Sequence, residues 1–259
     1  MLLTEDGSTT LYNENIGEYY HSTHGAIQES MHIFIKDGLN ECSKDEIHIL
    51  EMGFGTGLNA LLTLLEAEKT GKKIYYHTVE LYPINTEQVK SLNYAEILCP
   101  EKKDILLKLH EAKWGENSKI CSNFEIVKIQ SDFCSLDLKD YKFDVVYYDA
   151  FSPEKQPELW SLEIFEKIFS HCKSGAILTT YCAKGYVRRN LQAAGFTVHR
   201  LPGPPGKREK LSAVRNFASK REQSQTCLNY AEREHVLMTV GNKIAVRQLG
   251  VKIPIRGTH

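Results

Sequence analysis

The chain has 259 residues, 42% of them hydrophobic and 25% charged, with 32 Lys/Arg against 33 Asp/Glu. That is the make-up of a globular chain with one large α/β domain, or one domain and a small appendage, and no apolar run nears the roughly 20 residues that span a bilayer. The opening MLLTED is no secretory leader, and seven cysteines without a C-x-x-C pair point to reduced thiols in a cytoplasm, against a disulfide frame or a zinc site.

In chain order, the first 20 residues are polar and read as a loose arm or short hairpin. Residues 25–37 carry Ile27, Met31, Phe34 and Ile35 at helical spacing. A strand is expected at 47–51 and a helix at 58–69, ended by Gly71. Tyr75, Tyr76, Thr78 and Val79 favour a second strand at 74–80. Helices follow at 85–92 and 105–112, and strands at 124–130 and 143–148. A helix at 157–172, a strand at 175–181, a helix at 186–194 and a strand at 196–201 continue the alternation. A short seventh strand is expected at 211–214. Such alternation means a mostly parallel α/β sheet with helices on both faces. Residues 1–221 are expected to form the main domain and 222–259 an extension, with a hairpin at 235–247 around Gly241 and Asn242.

The first strand ends in EMGFGTGLN, residues 51–59. Gly53 and Gly55 allow a sharp turn and close approach of a ligand to the backbone, and the next helix offers free N–H groups. A dinucleotide site calls for G-x-G-x-x-G, whereas this spacing is G-x-G-x-G with Glu51 two residues ahead. A pyrophosphate is repelled by so close an acid; the sulfonium and ammonium of S-adenosylmethionine are not. The pattern E-x-G-x-G-x-G resembles the first motif of class I methyltransferases.

Ligands of open α/β sheets bind beyond the carboxyl ends of the strands, and four acids fall there. Glu51 ends the first strand and Glu80 the second; Asp132 follows the third; Asp149 ends the fourth. Glu80 can accept both ribose hydroxyls, Asp132 the adenine amine, and Glu51 or Asp149 the ligand ammonium. Gly53, Gly55, Gly57 and Asn59 complete the expected cofactor set. After Asp149 runs DAFSPEKQPELW, a proline-stiffened loop expected to pass over the pocket. In it, Phe151 is a candidate for stacking on a base and Trp160 is expected in the core.

Charge is unevenly spread. Residues 1–183 carry a net of −12 and residues 184–259 a net of +11, the latter including Lys184, Arg188, Arg189, Lys207, Arg208, Lys210, Arg215, Lys220 and Arg221. Such a block suits either a polyanion, nucleic acid first, or a solvated face.

Several motifs resemble one family, the MnmC-like methyltransferases that act at the tRNA wobble uridine. Its loop D-G-F-[AS]-P-x-K-[NQ]-P-x-[ML]-W compares with DAFSPEKQPELW at 149–160, Ala150 standing for glycine. Its E-L-G-F-G-T-G-L-N compares with 51–59, Met52 standing for leucine. Residues 183–198 are similar to A-G-x-V-R-R-x-L-x-x-A-G-F-x-V with one insertion, and Lys207-Arg208-Glu209-Lys210-Leu211 to K-R-E-M-L. The stretch from Tyr20 through Glu29 is similar to the family's opening segment. The likeness spans about residues 10–215. It implies a Rossmann-like class I fold, seven-stranded and mostly parallel, with an antiparallel last strand beside strand six. It further implies S-adenosylmethionine as donor and a tRNA aminomethyluridine as acceptor. The bifunctional members also carry a flavin oxidase domain; a chain of this length is expected to perform only the methyl transfer, with a separate oxidase or wobble-uridine enzyme as a candidate partner.

The expected reaction is an in-line displacement by a neutral amine, with Asp149 holding it and taking or relaying its proton. Positioning both reactants supplies much of the acceleration. Carbon methylation at the pyrimidine would need a cysteine nucleophile, and none lies in the Asp149 loop. Cys134 and Cys182 are expected to be buried small apolar residues. His21 and His24 read as polar surface, and no metal is assigned. Lys155, Arg188, Arg189, Lys207 and Arg208 are candidates for phosphate contacts, with an Arg208–Glu209 brace of the last hairpin as the other reading of that pair. The main rival is a methyltransferase acting on a free small-molecule amine. A non-enzymatic adenosine-ligand regulator or RNA chaperone comes next, and the glycine spacing disfavours a nicotinamide oxidoreductase.

Overall fold

Burial on both faces sets the centre of this protein. In the computed structural model, which describes residues 1–216, all six side chains of the strand FDVVYY (Phe143–Tyr148) are buried. The expected extension at 222–259, its hairpin, Lys220 and Arg221 lie outside the described residues. Eight strands form the main sheet: β1 (Glu46–Met52), β2 (Lys73–Glu80), β3 (Asn117–Cys121), β4 (Phe124–Gln130), β5 (Phe143–Tyr148), β6 (Cys172–Thr180), β7 (Thr197–Pro202) and β8 (Glu209–Val214). Their order is β7-β8-β6-β5-β1-β2-β4-β3.

The five strands from β6 to β4 in that order run parallel. As expected, the last strand is antiparallel: β8 is wedged between β6 and β7. An eighth strand, β3, pairs antiparallel with β4 at the far edge and was not expected. Its sequence, NSKIC, shows no apolar alternation, so only its pairing makes it a strand. β6 begins three residues before the expected start because Cys172 already pairs with Phe143; an irregularity follows before Ile177, and Gly175 sits there at a φ of 79°.

The helices are α1 (Ala26–Ser30), continued by a π-helical stretch Met31–Lys36, then α2 (Leu58–Thr70), α3 (Thr86–Lys90), α4 (Tyr94–Leu98), α5 (Ile105–Glu111), α6 (Leu162–His171) and α7 (Gly185–Ala193). Successive residues of a strand face opposite sides. Tyr147 accordingly joins the core that holds Leu61, Leu64, Leu106 and Phe34, while Tyr148 joins the one that holds Trp160, Phe165, Leu191 and Leu178. α6 buries Ile164, Phe165 and Ile168, one face of a helical spacing, and Ser161 caps its start by accepting from Ile164 N.

The N-terminal arm is more ordered than a loose segment. It forms two small antiparallel pairs, Leu2–Leu3 with Thr9–Thr10 and Tyr12–Asn13 with Glu18–Tyr19. Asn93, just before α4, pins the arm: its Oδ1 accepts from Thr9 N at 2.8 Å and its Nδ2 donates to Gly7 O at 2.9 Å. The arm is thereby held at the carboxyl end of the sheet.

At the other end of the sheet, the Asp144 side chain is 1% exposed and takes three donors: Lys44 Nζ at 2.5 Å, Lys173 Nζ at 2.7 Å and His48 N at 2.9 Å. Those donors hold its carboxyl below the ordinary value against the opposing effect of burial. Removing the carboxylate strands the His48 N–H. Asp144→Ala is expected to cost roughly 2 kcal/mol of stability, read from the urea midpoint. Asp144 lies about 17 Å along β5 from Asp149, so cofactor affinity, measured by calorimetry, should stay within about twofold.

Candidate active site

Beyond the carboxyl ends of β1, β2, β4 and β5 lies a cavity of about 530 Å³. A volume of that order suits a nucleoside-sized ligand. The turn after β1 forms its floor. Gly53, Gly55 and Gly57 have φ of 88°, 48° and 75°, conformations that a Cβ disfavours. A Cβ on Gly53 would also lie 2.9 Å from Asp149 O, and one on Gly55 would lie 2.9 Å from the Tyr20 ring. Gly53 and Gly55 line the cavity. Gly57 lies outside the lining, packed toward His110 and Phe54, and starts α2.

Glu80 is fixed in a way that fits a ribose diol. Its Oε2 accepts from Gly55 N and its Oε1 from Tyr82 N, each at 2.9 Å, and it faces the cavity. Asp132 is an exposed acid on the same wall, with Oδ1 accepting from Cys134 N at 2.9 Å. Asp149 is half-buried on the opposite side, with Oδ2 accepting from Asn59 Nδ2 at 2.8 Å. Burial pushes the Asp149 carboxyl up to about 7, with Asn59 pulling the other way.

Glu51 sits elsewhere than expected. It is fully buried beneath the turn, outside the cavity lining, with Oε2 accepting from Thr78 Oγ1 at 2.7 Å. Its side chain points back into the sheet because the chain does not turn until Gly53. Burial drives its carboxyl up to about 8, and Asp149 adds to the rise. Glu51 Oε1 and Asn59 Oδ1 are both buried without a partner, and a protonated Glu51 carries the kind of donor that Asn59 Oδ1 lacks.

The loop after Asp149 is held from below. Trp160 is fully buried, as expected, and its Nε1 donates to Phe151 O at 2.9 Å. Phe151 is half-buried on the cavity wall, its ring 5.1 Å from that of Tyr20. Ser152 donates through N and Oγ to Glu18 Oε2, tying the loop to the N-terminal arm. Cys182 is buried, but Cys134 is exposed, because Phe133 takes the inward position beside it.

The cationic candidates separate. Lys155, Arg189 and Arg208 are exposed, Arg188 is half-buried, and none of the four lines the cavity. Glu209 pairs at 3.8 Å with Arg200 across the β7–β8 hairpin, in place of the expected partner Arg208. Lys207 does line the cavity, with Nζ 2.5 Å from Glu29 Oε1 and 4.2 Å from the centre of the Tyr181 ring. Tyr20, His21, Glu29, Thr56 and Tyr181 are wall residues that were not among the expected site residues. His21 Nε2 and Thr56 Oγ1 are 2.8 Å apart, and burial holds the imidazole down to about 4, hence neutral. The family's opening segment pointed to Tyr20, His21 and Glu29, and the glycine motif holds Thr56.

Residues 101–216 match a family described as S-adenosyl-L-methionine-dependent methyltransferase. The chain is 30% identical over 96% of its length to the tRNA 5-methylaminomethyl-2-thiouridine biosynthesis bifunctional protein MnmC of Actinobacillus pleuropneumoniae serotype 5b, of which it spans 39%. The same-named protein of Leptospira interrogans serovar copenhageni is 31% identical over 81% of the chain and 34% of its own length. Among solved structures, MNMC2 from Aquifex aeolicus superimposes with a TM-score of 0.65 at 26% identity, covering 86% of this chain and 73% of its own. The chain belongs to the MnmC-like methyltransferases. It is an S-adenosylmethionine-dependent enzyme, and it spans about two fifths of the curated relatives it matches.

The site of this MnmC-like methyltransferase fits that donor. Two glycines clear the floor, Glu80 presents an oriented carboxylate, and Asp132 and Asp149 add acceptors for amino groups. Gly53→Ala, strained at φ 88° and pressed on Asp149 O, is expected to weaken S-adenosylmethionine binding at least tenfold by calorimetry.

Glu51 and Asp149 both bind their protons more tightly in the folded chain than in the unfolded one. Stability from this source is complete below about pH 4 and is lost as pH rises through about 7 to 8. Glu51→Gln removes one of the two titrations. Its stability relative to wild type, read from urea melts, should rise between pH 5 and pH 9.

Proposed function

We propose that this chain transfers a methyl group to the amine of an aminomethyl substituent on a tRNA wobble uridine, the nm5s2U to mnm5s2U type of step. The observation that carries the reading is Asp149, a carboxyl on the cavity wall with its affinity for a proton raised to about 7. A group of that kind accepts a proton from an amine near neutral pH. Bound S-adenosylmethionine supplies a sulfonium methyl group, so an N–C bond forms as the S–C bond breaks.

The nitrogen must shed one proton, and the Asp149 carboxylate is the acceptor. Asn59 holds that carboxylate in place, and Phe151 and Tyr20 offer aromatic surface for the uracil ring. The names of the relatives, which concern tRNA 5-methylaminomethyl-2-thiouridine biosynthesis, support the acceptor. Lys155, Arg188, Arg189 and Arg208, outside the cavity, supply cations for tRNA phosphates. A cytoplasmic site of action, a separate flavin oxidase or wobble-uridine enzyme supplying the amine, and a division into a catalytic unit at 1–221 and an extension at 222–259 belong to the same proposal.

The test is transfer of label from S-adenosylmethionine to tRNA from cells lacking this gene, followed by nucleoside analysis. Label in 5-methylaminomethyl-2-thiouridine is expected. Unlabelled tRNA beside intact cofactor binding overturns the acceptor and makes a free small amine the leading substrate.

Asp149→Asn should lower kcat/KM by about 100-fold or more. It should also remove the part of the pH–rate profile that rises near pH 7 as the carboxyl ionises, while S-adenosylmethionine binding changes far less.

A further inference from the structure

One ammonium group already sits in the cavity, and it belongs to the protein. Lys207 Nζ lies 2.5 Å from Glu29 Oε1 and 4.2 Å from the centre of the Tyr181 ring. Glu29 is only 8% exposed, and its other oxygen, Oε2, accepts from Ser22 N at 3.1 Å. Tyr181 is fixed by donating to Ala150 O at 2.9 Å, one residue past Asp149. All three side chains line the same cavity as Asp149.

A carboxylate and an aromatic face around a partly dehydrated pocket select an ammonium over a neutral group, and the cation–π contact strengthens as water is excluded. The two receptors are rigidly mounted, Glu29 at the end of α1 and Tyr181 just past β6. The occupant is not. Lys207 comes from the turn between β7 and β8, directly after Gly206, and its four-carbon stem can swing without moving the backbone. A pair kept only for stability gains little from such burial, because desolvation offsets the Coulomb attraction.

We propose that Glu29 and the Tyr181 ring form an alkylammonium subsite, and that Lys207 fills it until the ammonium of a ligand displaces the lysine. Resting on the reading above, the ligand group is the protonated aminomethyl nitrogen of the acceptor. It is received at Glu29 and then gives up its proton to the neighbouring Asp149. The amino-acid end of S-adenosylmethionine is the other source of the same chemistry.

Binding of n-propylammonium to the full chain tests the subsite without tRNA or methyl transfer. Lys207→Ala should bind it saturably by calorimetry, at least tenfold more tightly than wild type. Lys207→Ala combined with Glu29→Gln should not bind it. Glutamine keeps the acceptor for Ser22 N, and thermal melts check that the variants fold. If the Glu29 variant does not fold, Tyr181→Leu in the Lys207→Ala background takes its place and should likewise abolish binding. Absence of propylammonium binding to a folded Lys207→Ala chain overturns the proposal, as does binding that survives loss of Glu29 or of the Tyr181 ring.

The source is read from Glu29→Gln alone. A KM for the acceptor raised tenfold or more, with S-adenosylmethionine affinity within about twofold, assigns the subsite to the acceptor. The reverse pattern assigns it to the donor's amino-acid end and overturns the acceptor assignment. No change in either constant overturns a role in the reaction. Lys207→Ala should lower the KM of whichever ligand uses the subsite, whereas a phosphate-binding lysine would raise the acceptor's. Unlabelled tRNA with intact propylammonium binding would remove the tRNA reading and leave the subsite standing.

Discussion

The reversal of the chain after Met52 is the constraint on which the site depends. Three glycines at positive φ bring the backbone round, and Gly53 N donates to Val79 O at 3.0 Å while Asp149 N donates to Met52 O at 3.1 Å. Those two bonds lock the ends of β1, β2 and β5 together at one level. Glu80 then fastens to Gly55 N, so the carboxylate that faces the ligand is positioned by the turn itself. No long side chain is needed to build the floor, which leaves the space above it for a ligand.

Packing acids around such a floor is costly, and two of them respond with a raised affinity for the proton. Burial drives both Glu51 and Asp149 upward, with Asp149 adding to the rise at Glu51 and Glu29 to the rise at Asp149. Asn59 stands between them, with its Nδ2 given to Asp149 and its Oδ1 left for a donor. The deeper acid is therefore best seen as support, and the shallower one as the group that meets the ligand. The stability that such groups withhold near neutral pH is the counterpart of having a base poised there.

Sequence pattern carried the central fold well. β5 is buried along its whole length, β1 and β2 over most of theirs, and β4 alternates between buried and half-buried positions, while the glycine turn and the acids that follow the strands are local features of the chain. What pattern missed was decided by pairing partners and by contacts across the fold. β3 is polar and exists only by pairing with β4. The N-terminal arm reads as either a loose segment or a short hairpin, and Asn93 and Ser152, far along the chain, are what hold its short antiparallel pairs in place. Glu51 was expected to face the ligand because it sits beside the glycines, yet the pleat of β1 turns it into the core. Lys207 read as one more residue of a basic block, and nothing local distinguishes it from Arg208. Glu29, 178 positions earlier in the chain, makes the difference.

That last contact bears on how the cavity is closed. β8 lies between two strands that precede it in sequence, and the turn carrying Lys207 joins it to β7 at the edge of the sheet. Glu29 comes from the first helix, and Lys210, fully buried in β8, reaches the same neighbourhood to bond His32 O and Asp37. The two lysines of one hairpin thus tie the end of the described chain to its beginning. Lys210 is enclosed and serves as the anchor. Lys207, three residues before it and facing open space, is left as the member of the pair that a cationic ligand can replace without loosening the fold.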